Sequence, residues 1–339
     1  MKARRITQKD IARELGVSSS LVSRSLAGTA PAIGANPGTV RRIQEQARRV
    51  GYIPNAAARQ LRGHGQPVVG LVAADLEDPY FGPAVAEVIR QSHRAGFALT
   101  LAGFERRQPG LSDVDLLLQH DLKALLILGG GPLDWVKPFV ERGVAVIRIG
   151  RGLACPGMAE VTLDEQTGMA LVVRHLAELG HRKLAFIGAK LEVHEYRLSL
   201  VRQLLRRRGL SLMRGCAILS DPDVNEAGVR GVDLLAAARG EDWPTAIICS
   251  SDAVALGVLR GLANHGLRVP EHVSVTGFDD LALARLATPP LTSVRQPLAD
   301  MVGDALRMVR AGREAKPSVP HVPSLMVRAS TTSAWNSAS

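Results

Sequence analysis

The sequence predicts an α/β protein: a small helical N-terminal module followed by a larger body of doubly wound parallel sheets in two lobes. Three observations carry that expectation. From residue 67 onward, apolar runs of strand length alternate with amphipathic stretches, the pattern of buried parallel strands covered by helices. The alternation starts afresh at HLAELGHRKLAFIG, so two such lobes follow one another. A chain of 339 residues is also too long for one compact core and suits two or three domains.

Charge divides the chain at the same place. Of the formal net +10, the first 66 residues hold +9, with twelve Lys and Arg against Asp10, Glu14 and Glu45. Residues 67–339 hold thirty basic side chains against twenty-nine acidic ones. That asymmetry points to a small anion-binding module joined to a nearly neutral body. A hydrophobic fraction of 46% excludes a mainly disordered chain. No run of about 18 apolar residues occurs, and MKARRITQKD carries no apolar leader, so the expected location is cytoplasmic, without membrane association. Cys155, Cys216 and Cys249 lack paired spacing and read as buried small residues.

In chain order, Thr7-Gln8-Lys9-Asp10 has the form of a helix start, in which the Thr hydroxyl accepts an orphan amide hydrogen and the carboxylate favours the positive helix end. Ile11, Ala12 and Leu15 give this helix an apolar side, and Gly16 ends it. After Val17, Ser18 can cap a second helix over Ser19–Leu26. Two short helices joined by a tight turn make a helix-turn-helix, whose second helix presents its first residues, here Ser19, Ser20 and Leu21, to base edges in the major groove. Asn36-Pro37 announces a third helix, with Val40, Ile43, Ala47 and Val50 facing inward and Arg41, Arg42, Arg48 and Arg49 solvated. Residues 55–61 suit a helix too short to persist without a partner, and RGHGQP suits a linker.

In the body, strands are expected at VVGLVAA, ALTLAGF, ALLILGG and VAVIRIG, then at LAFIG, TAIICSSD and VSVTGFDD. A helix is expected over 81–95, with further helices through DVDLLLQ and WVKPFV. Ligands of such sheets bind beyond the carboxyl ends of the strands. There Asp279 can accept hydrogen bonds from hydroxyls, Arg197 offers a planar donor fork, and Tyr80 and Phe81 can present rings. The alternatives are a turn cap for Asp279 or Asp280, a surface position for Arg197 and a core position for Phe81. Gly129-Gly130-Gly131 lacks G-x-G-x-x-G spacing and the nine histidines lack H-E-x-x-H spacing, so no cofactor, metal or catalytic residues are expected.

The segments KDIARELGVSSSLVSRSLAG and VRRIQEQARRVGYIPNAAARQLR strongly resemble the headpiece of the lactose-repressor (LacI/GalR) family. The resemblance continues through VVGLVAADLEDPYF, HLAELGHRKLAFIG, SDAVALGVLRGL, VPEHVSVTGFDDLALARLATPPLTSVRQP and VRAST, nearly the whole chain. It implies a headpiece over 1–54, a hinge helix and linker over 55–66, and a two-lobed periplasmic-binding-protein-like core over 67–339. Lobe 1 would take about 67–160 and 292–320, lobe 2 about 161–291 and 321–339. DNA contacts would fall on Thr7, Ser18, Ser19, Ser20, Ser23 and Arg24, and in the hinge on Asn55, Ala58 and Leu61, with Leu61 as a minor-groove wedge. Effector contacts would fall on Tyr80, Phe81, Arg197, Asp279 and Ser251, the last standing where many relatives carry asparagine.

The function so implied is a transcriptional repressor that binds a pseudo-palindromic double-stranded operator as a homodimer. A sugar or polyol, or alternatively a nucleoside or other small metabolite, would modulate it. TAPAIGANPG is about three residues longer than the usual loop of the family, and STTSAWNSAS carries no leucine heptads for a tetramer-forming coil. A solute-binding protein would lack the basic headpiece, and an enzyme on this fold would need a nucleophile–base pair or cofactor motif.

Overall fold

The structure, a computed structural model, describes residues 6–52, 66–103, 111–130, 134–152, 155–240, 242–312 and 318–334. The chain divides into two units, residues 1–66 and 67–339.

In the first unit, α1 (Gln8–Leu15) starts at a reciprocal capping box: the Thr7 hydroxyl accepts from the Asp10 amide, and the Asp10 carboxylate accepts from the Thr7 amide. Gly16 ends it in the left-handed region at φ 64°, where other residues are strained. α2 (Ser19–Leu26) is capped by Ser18, whose Oγ accepts from the Leu21 amide at 3.1 Å. α3 (Pro37–Arg49) opens with Asn36 Oδ1 accepting from the Gly38 amide at 2.8 Å. Proline fits the next position, since its missing N–H would have had no helical partner. Ile11, Ala12, Val22, Ile43 and Ala47 make the core of this unit. The long connection between α2 and α3 folds into a 3-10 turn, Ala30–Ile33, with Ala30 fully buried.

In the second unit, lobe 1 carries a parallel sheet of order β2-β1-β3-β4-β5. Its strands are β1 (Val68–Ala73), β2 (Ala98–Gly103), β3 (Leu122–Leu128), β4 (Ala145–Ile149) and β5 (Met158–Val161). The helices between them are α4 (Phe81–Arg94), α5 (Leu111–Leu118) and α6 (Lys137–Glu141). Lobe 2 begins with α7 (Glu165–Glu178), β6 (Leu184–Gly188), α8 (Glu192–Arg206), β7 (Leu212–Leu219) and α9 (Val224–Arg239). It continues with β8 (Ala246–Cys249), α10 (Asp252–Asn264), β9 (Ser274–Asp279), α11 (Ala282–Leu286) and β10 (Thr292–Arg295). After α12 (Leu298–Ala311), which packs on α4 and β4 of lobe 1, comes β11 (Ser324–Met326).

The sheet of lobe 2 has the order β11-β10-β9-β8-β6-β7, with only β11 antiparallel to its neighbour. Without β11 the two sheets share one winding, in which the first strand of each lies between its second and third. That reversal is the topological switch point, where loops diverge and open a crevice at the carboxyl ends of the strands. It falls at the ends of β1 and β3 in lobe 1 and of β6 and β8 in lobe 2.

The return to lobe 1 comes later than the expected residue 292. Thr292–Arg295 is β10, hydrogen-bonded to β9 in lobe 2, and the chain re-enters lobe 1 only with α12. The cause is the register of β10: Thr292 and Ser293 are fully buried beside Thr276 and Gly277, so this segment completes the second sheet. Two of the connecting segments run side by side through the Leu163–His321 bridge. One apolar cluster continues through both lobes, from Leu71 and Leu126 to Phe186 and Phe278.

Candidate functional site

The first site is the exposed start of α2. Ser18, Ser19, Ser20 and Arg24 are exposed, whereas Leu21 packs on the core of the unit and Ser23 is half-buried. The helix therefore presents two hydroxyls and a guanidinium, and Leu21 leaves the set available to base edges. Thr7 and Ser18 spend their side chains on capping, which fixes the ends of α1 and α2. Arg41, Arg42, Arg48 and Arg49 are exposed as expected, and Arg49 reaches Glu14 at 2.8 Å. Asn55, Ala58 and Leu61 lie outside the described residues.

The second site forms where the strand ends of the two lobes meet. Tyr80 and Phe81 follow β1, Arg197 lies on α8 after β6, and Asp279 ends β9. Glu165 holds the Arg197 fork with both oxygens, at 2.8 Å to Nε and 3.0 Å to Nη2, and Nη1 donates to the Ser250 carbonyl at 2.7 Å. The guanidinium lies 3.7 Å from the centre of the Phe278 ring. His194 holds Ser250 in turn: its Nδ1 faces the Ser250 hydroxyl and accepts from the Ala189 amide, each at 3.0 Å. Burial, reinforced by the Arg197 charge, pushes the His194 imidazole down to about 3, so it is a neutral acceptor.

Asp279 and Asp280 both have positive φ, 117° and 53°. Such backbone costs of order 1–3 kcal/mol per residue and persists only where surroundings enforce it. Here Asp280 is tied to Arg295 and Arg328, while its amide donates to Ser293 Oγ at 3.0 Å. Asp279 is thereby turned to Gln296, whose Nε2 donates to it at 2.6 Å. The Tyr80 hydroxyl donates to Gln296 Oε1 at 3.4 Å, so one amide links the two lobes. A second link is Arg151, after β4, stacked 3.6 Å from the Tyr196 ring on α8.

Burial raises the Asp279 carboxyl well above the usual carboxylate range, and Asp252 and Asp78 push it further while Arg197 opposes them. The Asp78 carboxyl, which accepts from the Tyr80 amide at 2.9 Å, is also raised by burial. Burial and the Asp279 charge raise the Tyr80 phenol, which therefore stays a donor. Behind them, Asp252 accepts from the Leu281 amide at 2.7 Å and from Ser293 Oγ at 2.6 Å, and burial pushes it up to about 7. Gly277 is required beside it, since a Cβ there would stand 2.2 Å from Asp252 Oδ1.

Tyr80, Arg197 and Asp279 thus come together as expected. Phe81 is committed to the core of lobe 1, edge-on to Tyr80 at 5.3 Å, and Ser251 to capping α10, where its hydroxyl accepts from the Val254 amide at 3.3 Å. Glu165, Ser250, Phe278, Gln296 and His194 were not expected from the sequence. A wide groove of about 1040 Å³ between α12 and residues 318–322 contains none of the crevice residues, so volume alone does not mark the site.

Residues 173–331 match the model of the periplasmic binding protein-like domain family. Across 336 residues, 96% of each chain, the sequence is 31% identical to the HTH-type transcriptional regulator GalR of Salmonella typhimurium strain LT2. The chain belongs to the LacI/GalR family. It is accordingly a transcriptional regulator with an N-terminal helix-turn-helix, and not an enzyme. At the level of fold, a lac repressor dimer bound to operator and the anti-inducer ONPF superposes with a TM-score of 0.83, covering 97% of this chain and all of the other at 23% identity. A cellobiose complex of the transcriptional regulator CelR superposes at 0.68 with 26% identity, over 96% of this chain and all of the other. In this LacI/GalR member no helix among the described residues is long and apolar enough to cross a membrane.

Proposed function

We propose that this regulator represses transcription as a homodimer, placing two α2 helices on a pseudo-palindromic operator and responding to a neutral polyhydroxylated effector, a sugar or polyol, between its lobes. Ser19, Ser20 and Arg24 read the major groove; Thr7, Ser18 and Ser23 set the helix against the backbone. Asn55, Ala58 and Leu61 supply the hinge, with Leu61 wedged into the minor groove.

The observation that carries the effector class is the bidentate Arg197–Glu165 pair. Among the described residues the guanidinium bonded within the Glu165–Ser250–Phe278 group is already neutralised, Arg151 is stacked on Tyr196, and Asp279 and Tyr80 add an acceptor and a donor. An anionic effector would find the Arg197 fork already filled by Glu165. Hydroxyl groups match this mixture of donors and acceptors. A ligand closing the lobes changes the separation of the two hinge segments, and operator and effector affinities then change by the same factor.

The experiment is a thermal-shift screen of neutral sugars, polyols and nucleosides, with each hit retested for its effect on operator binding. A sugar or polyol should stabilise the wild type and leave Asp279→Ala unshifted. Stabilisation only by carboxylates or phosphates, lost in the Arg197 variant, would refute the neutral class.

A further inference from the structure

The near-neutral body conceals a concentrated run of positive charge. From 196 to 220 the sequence has six arginines and no acidic residue. Arg197 is buried on Glu165, but Arg202, Arg206, Arg207, Arg208 and Arg214 are exposed, and among the described residues none of these five has an ion-pair partner. Asp242 is taken by Lys183 and Arg239, and Arg239 also donates to the Arg214 carbonyl, so that acid is committed beside the run rather than within it.

Three of these arginines converge. Arg202 and Arg206 lie four residues apart on α8, where like charges repel, and Arg214 comes from β7, the outermost strand of its sheet. Together with Ser211 they line a groove of about 340 Å³ floored by Leu212 and Met213. That volume is at the lower end of the range for small-molecule sites, roughly 300–1,000 Å³. β7 is irregular there: Leu212 pairs with Leu184 and the next pair is Ala217 with Phe186, with Gly215 between them at φ 78°. A bulged edge is a poor template for an added strand, which disfavours an extended peptide as occupant. Guanidinium forks match phosphate oxygens two by two, and a hydroxyl adds a donor.

We propose that this groove is a second ligand site of the regulator, distinct from the crevice, which binds a small metabolite bearing two or more phosphate charges through Arg202, Arg206, Arg214 and Ser211. A nucleoside diphosphate and a sugar bisphosphate share this chemistry. Their phosphates satisfy arginines that have no acidic partner among the described residues, whereas the crevice takes an uncharged ligand.

The test is titration calorimetry of the full-length protein with inorganic pyrophosphate, since the basic headpiece offers a competing anion surface. Arg202→Glu/Arg206→Glu should weaken pyrophosphate binding at least tenfold and leave operator affinity unchanged, and Arg214→Glu, from β7 rather than α8, should give the same loss. Arg41→Gln/Arg42→Gln in the headpiece should leave pyrophosphate binding as it was. A nucleoside diphosphate or a sugar bisphosphate that binds more tightly than pyrophosphate, with the same dependence on Arg202 and Arg206, identifies the source. Equal binding by wild type and the groove variants overturns the proposal, as does loss confined to the headpiece variant. Weakened operator binding in the groove variants, without pyrophosphate binding by the wild type, assigns the face to nucleic acid and overturns it too.

Discussion

In the headpiece, Arg24, Arg41, Arg42 and Arg48 stand in solvent, and among the described residues the ion pairs Arg13–Asp10 and Arg49–Glu14 lie on its surface. At the centre of the body the reverse holds: Arg197 is fixed by Glu165, Arg148 on β4 by Glu160, and Asp280 by Arg328. Exposed charges contribute little to folding but sum into a long-range field that attracts polyanions. Buried pairs are costly to desolvate and very costly to break, so they hold side chains in one geometry. Charge therefore acts on a partner in the headpiece and on the protein itself in the crevice.

That contrast can be broken most severely at Arg197. Arg197→Met leaves Glu165 buried without its partner and should cost about 3–5 kcal/mol of body stability, read by denaturation followed through Trp135 and Trp243. Removing any one exposed headpiece arginine should cost within roughly 0.5 kcal/mol by the same measure. A similar loss at both places would erase the distinction.

Base readout comes next in size. Ser19→Ala and Ser20→Ala should each reduce discrimination between operator and scrambled DNA by about 1–3 kcal/mol while leaving non-specific affinity nearly unchanged. Smaller still, Ser18→Ala removes the α2 cap and should cost the headpiece about 1 kcal/mol of stability, seen in its melting and not in that of the body.

The two regions also differ in their response to acid. Residues 6–52 contain no histidine, whereas burial lowers His175, His181 and His194 in the body. For these neutral imidazoles, stability is present above the ordinary histidine value of 6.5 and is lost as pH falls through it, because the unfolded chain takes up protons the folded one refuses. Asp252 works in the opposite sense. Its folded value of about 7 exceeds 3.8, so its contribution is full at low pH and lost as pH rises through 7. Asp252→Asn removes that compensating term, and the variant should lose more stability than wild type between pH 8 and pH 5. Parallel pH profiles would contradict the assigned environment of Asp252.

Most of the headpiece was legible because its signals are local. Thr7, Gly16, Ser18 and Asn36 act within three or four residues of their partners, and each takes the capping role its spacing implied. The crevice was legible only in part. Tyr80, Arg197 and Asp279 stand at strand ends that the alternation locates, but their partners are distant in sequence: Glu165 is 32 residues from Arg197, and Gln296 is 216 from Tyr80. Only the winding of two sheets brings them together. Ser251 shows the opposite case, since a serine before an apolar helix carries a local capping signal, and its hydroxyl does cap α10. Net charge misled as well, because a body near neutrality still gathers Arg202, Arg206 and Arg214 on one edge.

The division of labour between exposed and buried charge is tested most directly by the salt dependence of operator affinity in three proteins: wild type, Arg24→Gln/Arg41→Gln, and Arg202→Glu/Arg206→Glu. Log affinity should fall linearly with log salt, by about 0.9 for each phosphate neutralised, and the slope should become shallower only in the headpiece variant. A flat wild-type dependence, or a slope that changes with the body variant instead, would contradict the account.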